Sequence, residues 1–202
     1  MNYKKMLPLF SYVFHPIFIS VYGVILYLWF SDATLFSSIA FLLLIQVSIL
    51  TLLLPISIYF LLKAIGNVKS FTEATISERR FPIFLQAIFL LLLISFSGFI
   101  KEELVLYYFF SGGIISSIVA LSATFLNFKI SLHMIGIASL FAFIINLGVY
   151  FGLNTISILA VVIVIMGHVA SQQHSQQLRA PTTAATRKQR RFYLAAAAPQ
   201  QH

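Results

Sequence analysis

Between Asp32 and Lys63 the chain carries no charged residue, and Leu, Ile, Phe and Val dominate the interval. About 18 apolar residues suffice for an α-helix to cross the hydrocarbon of a bilayer. Inside hydrocarbon every backbone N–H and C=O must be satisfied within the protein, which leaves helices and closed β-barrels as the options. Barrel strands would alternate apolar and polar residues over about ten positions. The chain shows no such alternation, so the expected fold class is all-α, a polytopic membrane helix bundle. Composition points the same way. Only 9% of residues are charged, against roughly 25% in a soluble domain.

Length and flanking polarity divide the chain into about six spans, near Pro8–Phe30, Leu35–Ala64, Pro82–Ile100, Leu104–Leu126, Ile130–Phe151 and Asn154–Ala170. The second is long enough to be tilted, or to bend at Pro55, whose ring removes a backbone donor and clashes with the preceding turn. The basic start "MNYKKMLPLF" is followed by no small-residue cleavage site, so no cleavable leader is expected. There is no cysteine, which excludes disulfides and thiolate metal sites.

Basic residues in the short loops set the expected orientation. With the N-terminus inside, Lys4, Lys5, Lys63, Lys69, Arg79, Arg80, Lys129, Arg179, Arg187, Lys188, Arg190 and Arg191 lie on the cytoplasmic side. Lys101 alone lies opposite, with Asp32, Glu102 and Glu103. An even number of spans puts both termini in the cytoplasm. The reading is a transmembrane bundle over 1–170 and a polar, basic cytoplasmic tail over 171–202. Within that tail, "RKQRRFY" suits anionic headgroups. The location expected is the bacterial inner membrane, crossed several times.

Two polar clusters interrupt this pattern on the cytoplasmic side. One is "FKISLHMIGI", where Lys129, Ser131 and His133 open the fifth span. A helix N-terminus offers free amides to an anion, Ser131 suits the cap, and an imidazole exchanges protons near neutral pH. The other is "KSFTEATISERRFP", with Glu78, Arg79 and Arg80 just before Pro82. Arginine forks bind phosphate bidentately. Each cluster also has a plain structural reading: a serine cap, a snorkelling lysine, a packed histidine, and arginines that follow the positive-inside rule. His15 in "YVFHPIF" is expected a turn or two inside the first helix on the cytoplasmic side, where an ionisable group normally faces the bundle interior. Pro16 leaves a backbone carbonyl one turn earlier without its donor, so a structural hydrogen bond is its simpler role. His168 raises the same question at the end of the sixth span. Gly112 and Gly113, with Ser111, Ser116 and Ser117, are expected to mark close helix packing. The five histidines form no i, i+4 pair around a glutamate, so neither metal nor other cofactor is expected. Glycine-rich phosphate loops and serine elbows are absent from the sequence.

Phe14-His15-Pro16, Thr75 with Glu78-Arg79 and Pro82, and Lys129-Ile130-Ser131 with His133-Met134 and Gly136 together resemble small multi-span proteins of Bacteroidota. Those proteins are related to the type 2 phosphatidic acid phosphatase superfamily. The resemblance covers roughly residues 8 to 170. It implies that His133 protonates a leaving alcohol, that Arg79, Lys129 and Ser131 hold phosphate, and that His15, Glu78 and Arg80 line the pocket. The superfamily's nucleophilic histidine comes from a third motif after the sixth span. Here that stretch reads Leu178-Arg179-Ala180-Pro181-Thr182, with proline at the nucleophile's position.

The function expected is a phosphatidic-acid-phosphatase-like membrane protein acting on or binding a lipid or isoprenoid phosphate at the cytoplasmic face. The alternatives are a non-catalytic binding or structural protein of the same fold and, ranked lower, a small transporter. Its partners would be membrane lipids and the phosphate ligand. Nucleic acid is not expected, and no oligomeric state is implied.

Overall fold

The computed structural model describes residues 15–31, 37–65, 79–126, 128 and 130–179, with side chains up to 171. Every regular element among them is helical. A 3₁₀ turn, Pro16–Phe18, leads into α1, Ile19–Phe30. Then follow α2, Ser38–Ser48; a π turn, Ile49–Leu53; α3, Leu54–Ala64; α4, Arg80–Phe96; and α5, Gly98–Glu102. The chain continues through α6, Leu104–Phe125; α7, Leu132–Phe151; and α8, Ile156–Arg179.

Three continuous helices are long and apolar enough to cross a membrane: Ser38–Ala64, Leu104–Phe125 and Leu132–Phe151. Three shorter apolar helices, Pro16–Phe30, Arg80–Phe96 and Ile156–Ser171, accompany them. Their outward faces are apolar, with Phe41 61% and Val149 80% exposed. Contiguous apolar surface of this kind suits lipid rather than water.

Side chains explain the helix boundaries. Ser37 caps α2 by accepting from the Ala40 amide at 3.2 Å. Ser131 caps α7 in the same way through the Met134 amide, also at 3.2 Å. Gly152 closes α7 in the left-handed region, φ 66°, a conformation that costs glycine nothing. The third span was expected to run unbroken to Ile100. Instead it stops at Phe96, because Ser97 turns extended and its hydroxyl oxygen caps α5 through the Ile100 amide at 3.3 Å. Pro55 acts on the turn before it. Lacking an amide, it leaves the Thr51 carbonyl without its i+4 donor, and the preceding turn widens to a π geometry in which the Leu54 amide reaches Ile49.

The described chain divides into two compact units, with the boundary after Met166. In the first, α4 packs along α6, α1 along α2 and α7, and α6 against α7. Contacts fix the directions. Arg80 reaches Thr124, while a Cβ on Gly113 would meet Leu90 at 3.1 Å, so α4 and α6 are antiparallel. Gly136 faces Ile19 and Tyr27 meets Phe151 at 6.3 Å, so α1 and α7 are parallel. The fully buried core of this unit gathers Val24, Leu28, Val47, Leu93, Leu106, Phe110 and Leu147. These lie toward the α5 end of the bundle. In the second unit the described residues continue α8 as helix to Arg179.

Of the two adjacent glycines expected at a close approach, only Gly113 makes one; a Cβ on Gly112 would meet nothing within 4 Å. Gly23 is the tightest site, since a Cβ there would run into the Phe109 ring. That ring is held against Phe143, at 4.2 Å between centroids. Gly23→Ala should therefore lower thermal stability in detergent by about 1–3 kcal/mol, as overpacking does. Gly112→Ala should be neutral or raise it by up to about 1 kcal/mol through helix propensity. Thermal melts of the two variants beside the parent, read by retention of a monodisperse peak, check the opposite signs.

Candidate functional site

The helix directions decide which polar residues meet. α1, α4 and α7 begin at one end of the first unit, and α6 finishes there. His15, Arg79, Arg80, Ser131 and His133 consequently share that end although they come from three distant stretches of sequence. Lys129 and Glu78, both assigned to the site from the sequence, lie outside the described residues.

His15 stands immediately before the 3₁₀ turn. Its backbone is extended, φ −65° and ψ 137°, so no helix runs continuously through it. Pro16 accounts for this, because a residue before proline is pushed out of the α region. The His15 Nδ1 accepts from the Ile17 amide at 3.4 Å. An accepting Nδ1 places the proton of the neutral ring on Nε2. The same ring meets His133 edge to face, with centroids 5.2 Å apart and planes at 85°.

His133 belongs to the first turn of α7, positioned by the Ser131 cap. Behind it, a Cβ on Gly136 would lie 3.0 Å from Ile19 and 3.6 Å from the Pro16 backbone. This close approach lets α7 sit against the turn that carries His15, and so brings the two imidazoles together. Sequence reasoning placed His15 inside the first helix, bonded where Pro16 frees a carbonyl, and in the pocket; it instead precedes the turn and accepts from the Ile17 amide. The pairing with His133 itself needed the parallel packing of α1 and α7.

The two arginines do different things. Arg80 donates from its terminal guanidinium nitrogen to the Thr124 carbonyl at 3.0 Å, and its guanidinium carbon lies 4.5 Å from the Phe125 ring centroid. It ties the start of α4 to the end of α6. Arg79 instead lines a small cleft with Ile83, Ala120, Thr124, Phe128, Ile130 and Leu132. The cleft has a volume of about 10 Å³, room for about one water, and it joins Arg79 to the segment that opens α7. Thr124, Phe125 and Phe128 were not singled out from the sequence. A hydroxyl and two rings at the end of an apolar helix carry no signal until a guanidinium is placed beside them.

Chemically, this end of the bundle combines an arginine, the N-terminus of a twenty-residue helix and two imidazoles in contact. Arginine and free amides attract an anion. Two imidazoles in contact disfavour a second positive charge on the pair. Among the described residues no third His, Asp or Glu joins them to make a metal-binding group. His168, in the second unit, is exposed on α8. Comparison with protein-family models, curated proteins and solved structures found no match to the chain.

The cap and any ligand role of Ser131 separate by substitution. Ser131→Ala should destabilise the protein by about 0.5–2 kcal/mol, while Ser131→Asp, also a good cap, should hold stability near the parent value. Thermal unfolding of the three proteins in one detergent provides the comparison.

Proposed function

We propose that this chain is a six-span protein of the bacterial inner membrane, with both termini cytoplasmic. In this reading, the end bearing His15, Arg79, Ser131 and His133 binds the phosphate of a lipid or isoprenoid phosphate. The observation that carries the reading is the contact between His15 and His133 at 5.2 Å, made at the end of the bundle where Arg79 lines a cleft with Ile130 and Leu132. Arg79, with Lys129 from the adjoining segment, supplies positive charge for the phosphate. His133 is the proton donor to a leaving alcohol. The shorter apolar helices complete the six spans, with tilt and flanking residues making up their length.

A second reading has its own observation. Pro181 occupies the position at which the superfamily resembled by the sequence has its nucleophilic histidine, and a phosphohistidine route requires that nucleophile. Binding without turnover is the corresponding function.

One assay separates the two. Purified protein is given a mixed panel of lipid and isoprenoid phosphates, and both phosphate release and ligand retention are measured. Release that His133→Ala abolishes supports a phosphatase. Retention without release, weakened about tenfold or more in Arg79→Ala by loss of a charge-assisted hydrogen bond, supports a binding protein. If neither release nor retention occurs, the phosphate reading fails.

The orientation has a separate test, made simple by the lack of cysteine. In intact spheroplasts an impermeant maleimide should label Lys101→Cys and spare Lys188→Cys, and in inverted vesicles the pattern should reverse. The same labelling at both positions would refute the six-span topology.

A further inference from the structure

The opposite end of the bundle holds an open cleft of about 310 Å³, close to the lower limit of small-molecule sites. It shares no residue with the phosphate site. The C-terminal turn of α1, the N-terminus of α2, and the connection from α5 to α6 form its walls. Among the described residues its polar lining is Tyr27, Ser31, Ser37 and Glu103, and its apolar lining includes Leu28, Ile39 and Phe99.

The hydrogen bonding of this lining is asymmetric. Glu103 holds the cap position of α6 yet makes no capping hydrogen bond. It faces the same cleft as the buried Tyr27 side chain. A carboxylate offers several lone pairs to a donor. Among the described residues no ion pair reaches Glu103, although the side chain is half-buried. Ser31 spends its hydroxyl proton on the Leu28 carbonyl at 3.3 Å, so its lone pairs are left to accept. The Phe99 ring adds a face that attracts cations. A carboxylate on a cleft wall attracts a cation, and an ammonium group can both pair with it and donate hydrogen bonds to it. Ser37 differs from the rest: its oxygen accepts from Ala40 at 3.2 Å, which leaves its O–H to donate.

The rim indicates where the cation comes from. This end of the bundle exposes Trp29 at 68% and Tyr108 at 63%, with Phe96 and Leu104 also bare. Tryptophan and tyrosine at a helix end mark the headgroup level of a bilayer. An occupant arriving there is a lipid.

We propose that this cleft binds the zwitterionic headgroup of a lipid bearing a primary ammonium. The ammonium sits on Glu103 and Ser31 beside the Phe99 ring, and the lipid phosphate accepts a hydrogen bond from the Ser37 hydroxyl. A quaternary ammonium would lack the hydrogen bonds, and an anionic headgroup would meet the Glu103 charge.

Native mass spectrometry of the detergent-purified full chain, incubated with equimolar phosphatidylethanolamine and phosphatidylglycerol, tests this. The parent protein should retain phosphatidylethanolamine in excess. In Glu103→Gln the excess should fall by about tenfold, as expected for losing a charge-assisted contact. Glu102→Gln, an exposed neighbour, should retain the parent preference. Tyr27→Phe keeps the ring and removes the hydroxyl that lines the cleft with Glu103, so the excess should fall by about threefold or more; this variant carries the test if Glu103→Gln does not fold. A parent without preference, or a preference that survives both Glu103→Gln and Tyr27→Phe, overturns the proposal. Because phosphate release and Arg79→Ala report on the other end of the bundle, failure here leaves the phosphate reading standing, and the reverse holds too.

Discussion

Hydrocarbon gives a polar group no partner of its own, and this constraint organises the whole chain. Backbone amides close their bonds inside helices, and many side-chain hydroxyls do likewise. Thr51 donates to the Val47 carbonyl at 2.8 Å, Ser117 to Gly113 at 2.8 Å and Ser139 to Ile135 at 2.9 Å. Each is a bond one turn back along its own helix. These residues read as polar in the sequence but act as apolar surface in the fold. Ser37, Ser97 and Ser131 depart from the habit, and each begins a helix. Hydroxyls at helix starts therefore divide the apolar chain into segments.

Arg80 shows the same economy with a full charge. Its guanidinium reaches a carbonyl of the last turn of α6 and covers an aromatic ring. The last carbonyls of a helix lack internal donors and carry partial negative charge, so a cation serves that terminus well. The result is a fixed antiparallel pair, α4 against α6, with the close approach of Leu90 to Gly113 further along. Arg79, next in sequence, is left to face the segment that opens α7. Two identical side chains in succession thus take a clamp role and a cleft role because successive helical positions point about 100° apart.

Much of the architecture could be read from residue order. Charge-free runs identified the apolar helices, Ser131 identified the start of α7 to within a residue, and Pro55 marked the disturbance in the longest helix. Convergence of Arg79 with the Ser131 segment followed from counting helices of alternating direction. The Ser97 break was not read, because Ser-Gly in an apolar run is tolerated in many membrane helices. Nor was the use of Arg80: paired arginines are expected on electrostatic grounds wherever a span begins, and only the position of Phe125 distinguishes them. The contact of His15 with His133 depends on Gly136 admitting the Pro16 turn, a property of two surfaces that no single stretch displays. Lys129 and Glu78, by contrast, belong to the sequence argument alone.

The π turn at Ile49–Leu53 has a consequence for the longest helix. A turn that takes in one residue more than an α turn rotates everything after it by about 100° relative to an unbroken helix. Before it, Ala40, Leu43 and Val47 form a single buried stripe; after it, α3 buries no residue. One continuous rod of twenty-seven residues thus behaves as two helices out of phase. Its first half keys into the bundle, while its second half is only half-buried or exposed. A change of phase inside a helix thus does the work that a hinge would do elsewhere, and it does so within one continuous helical rod.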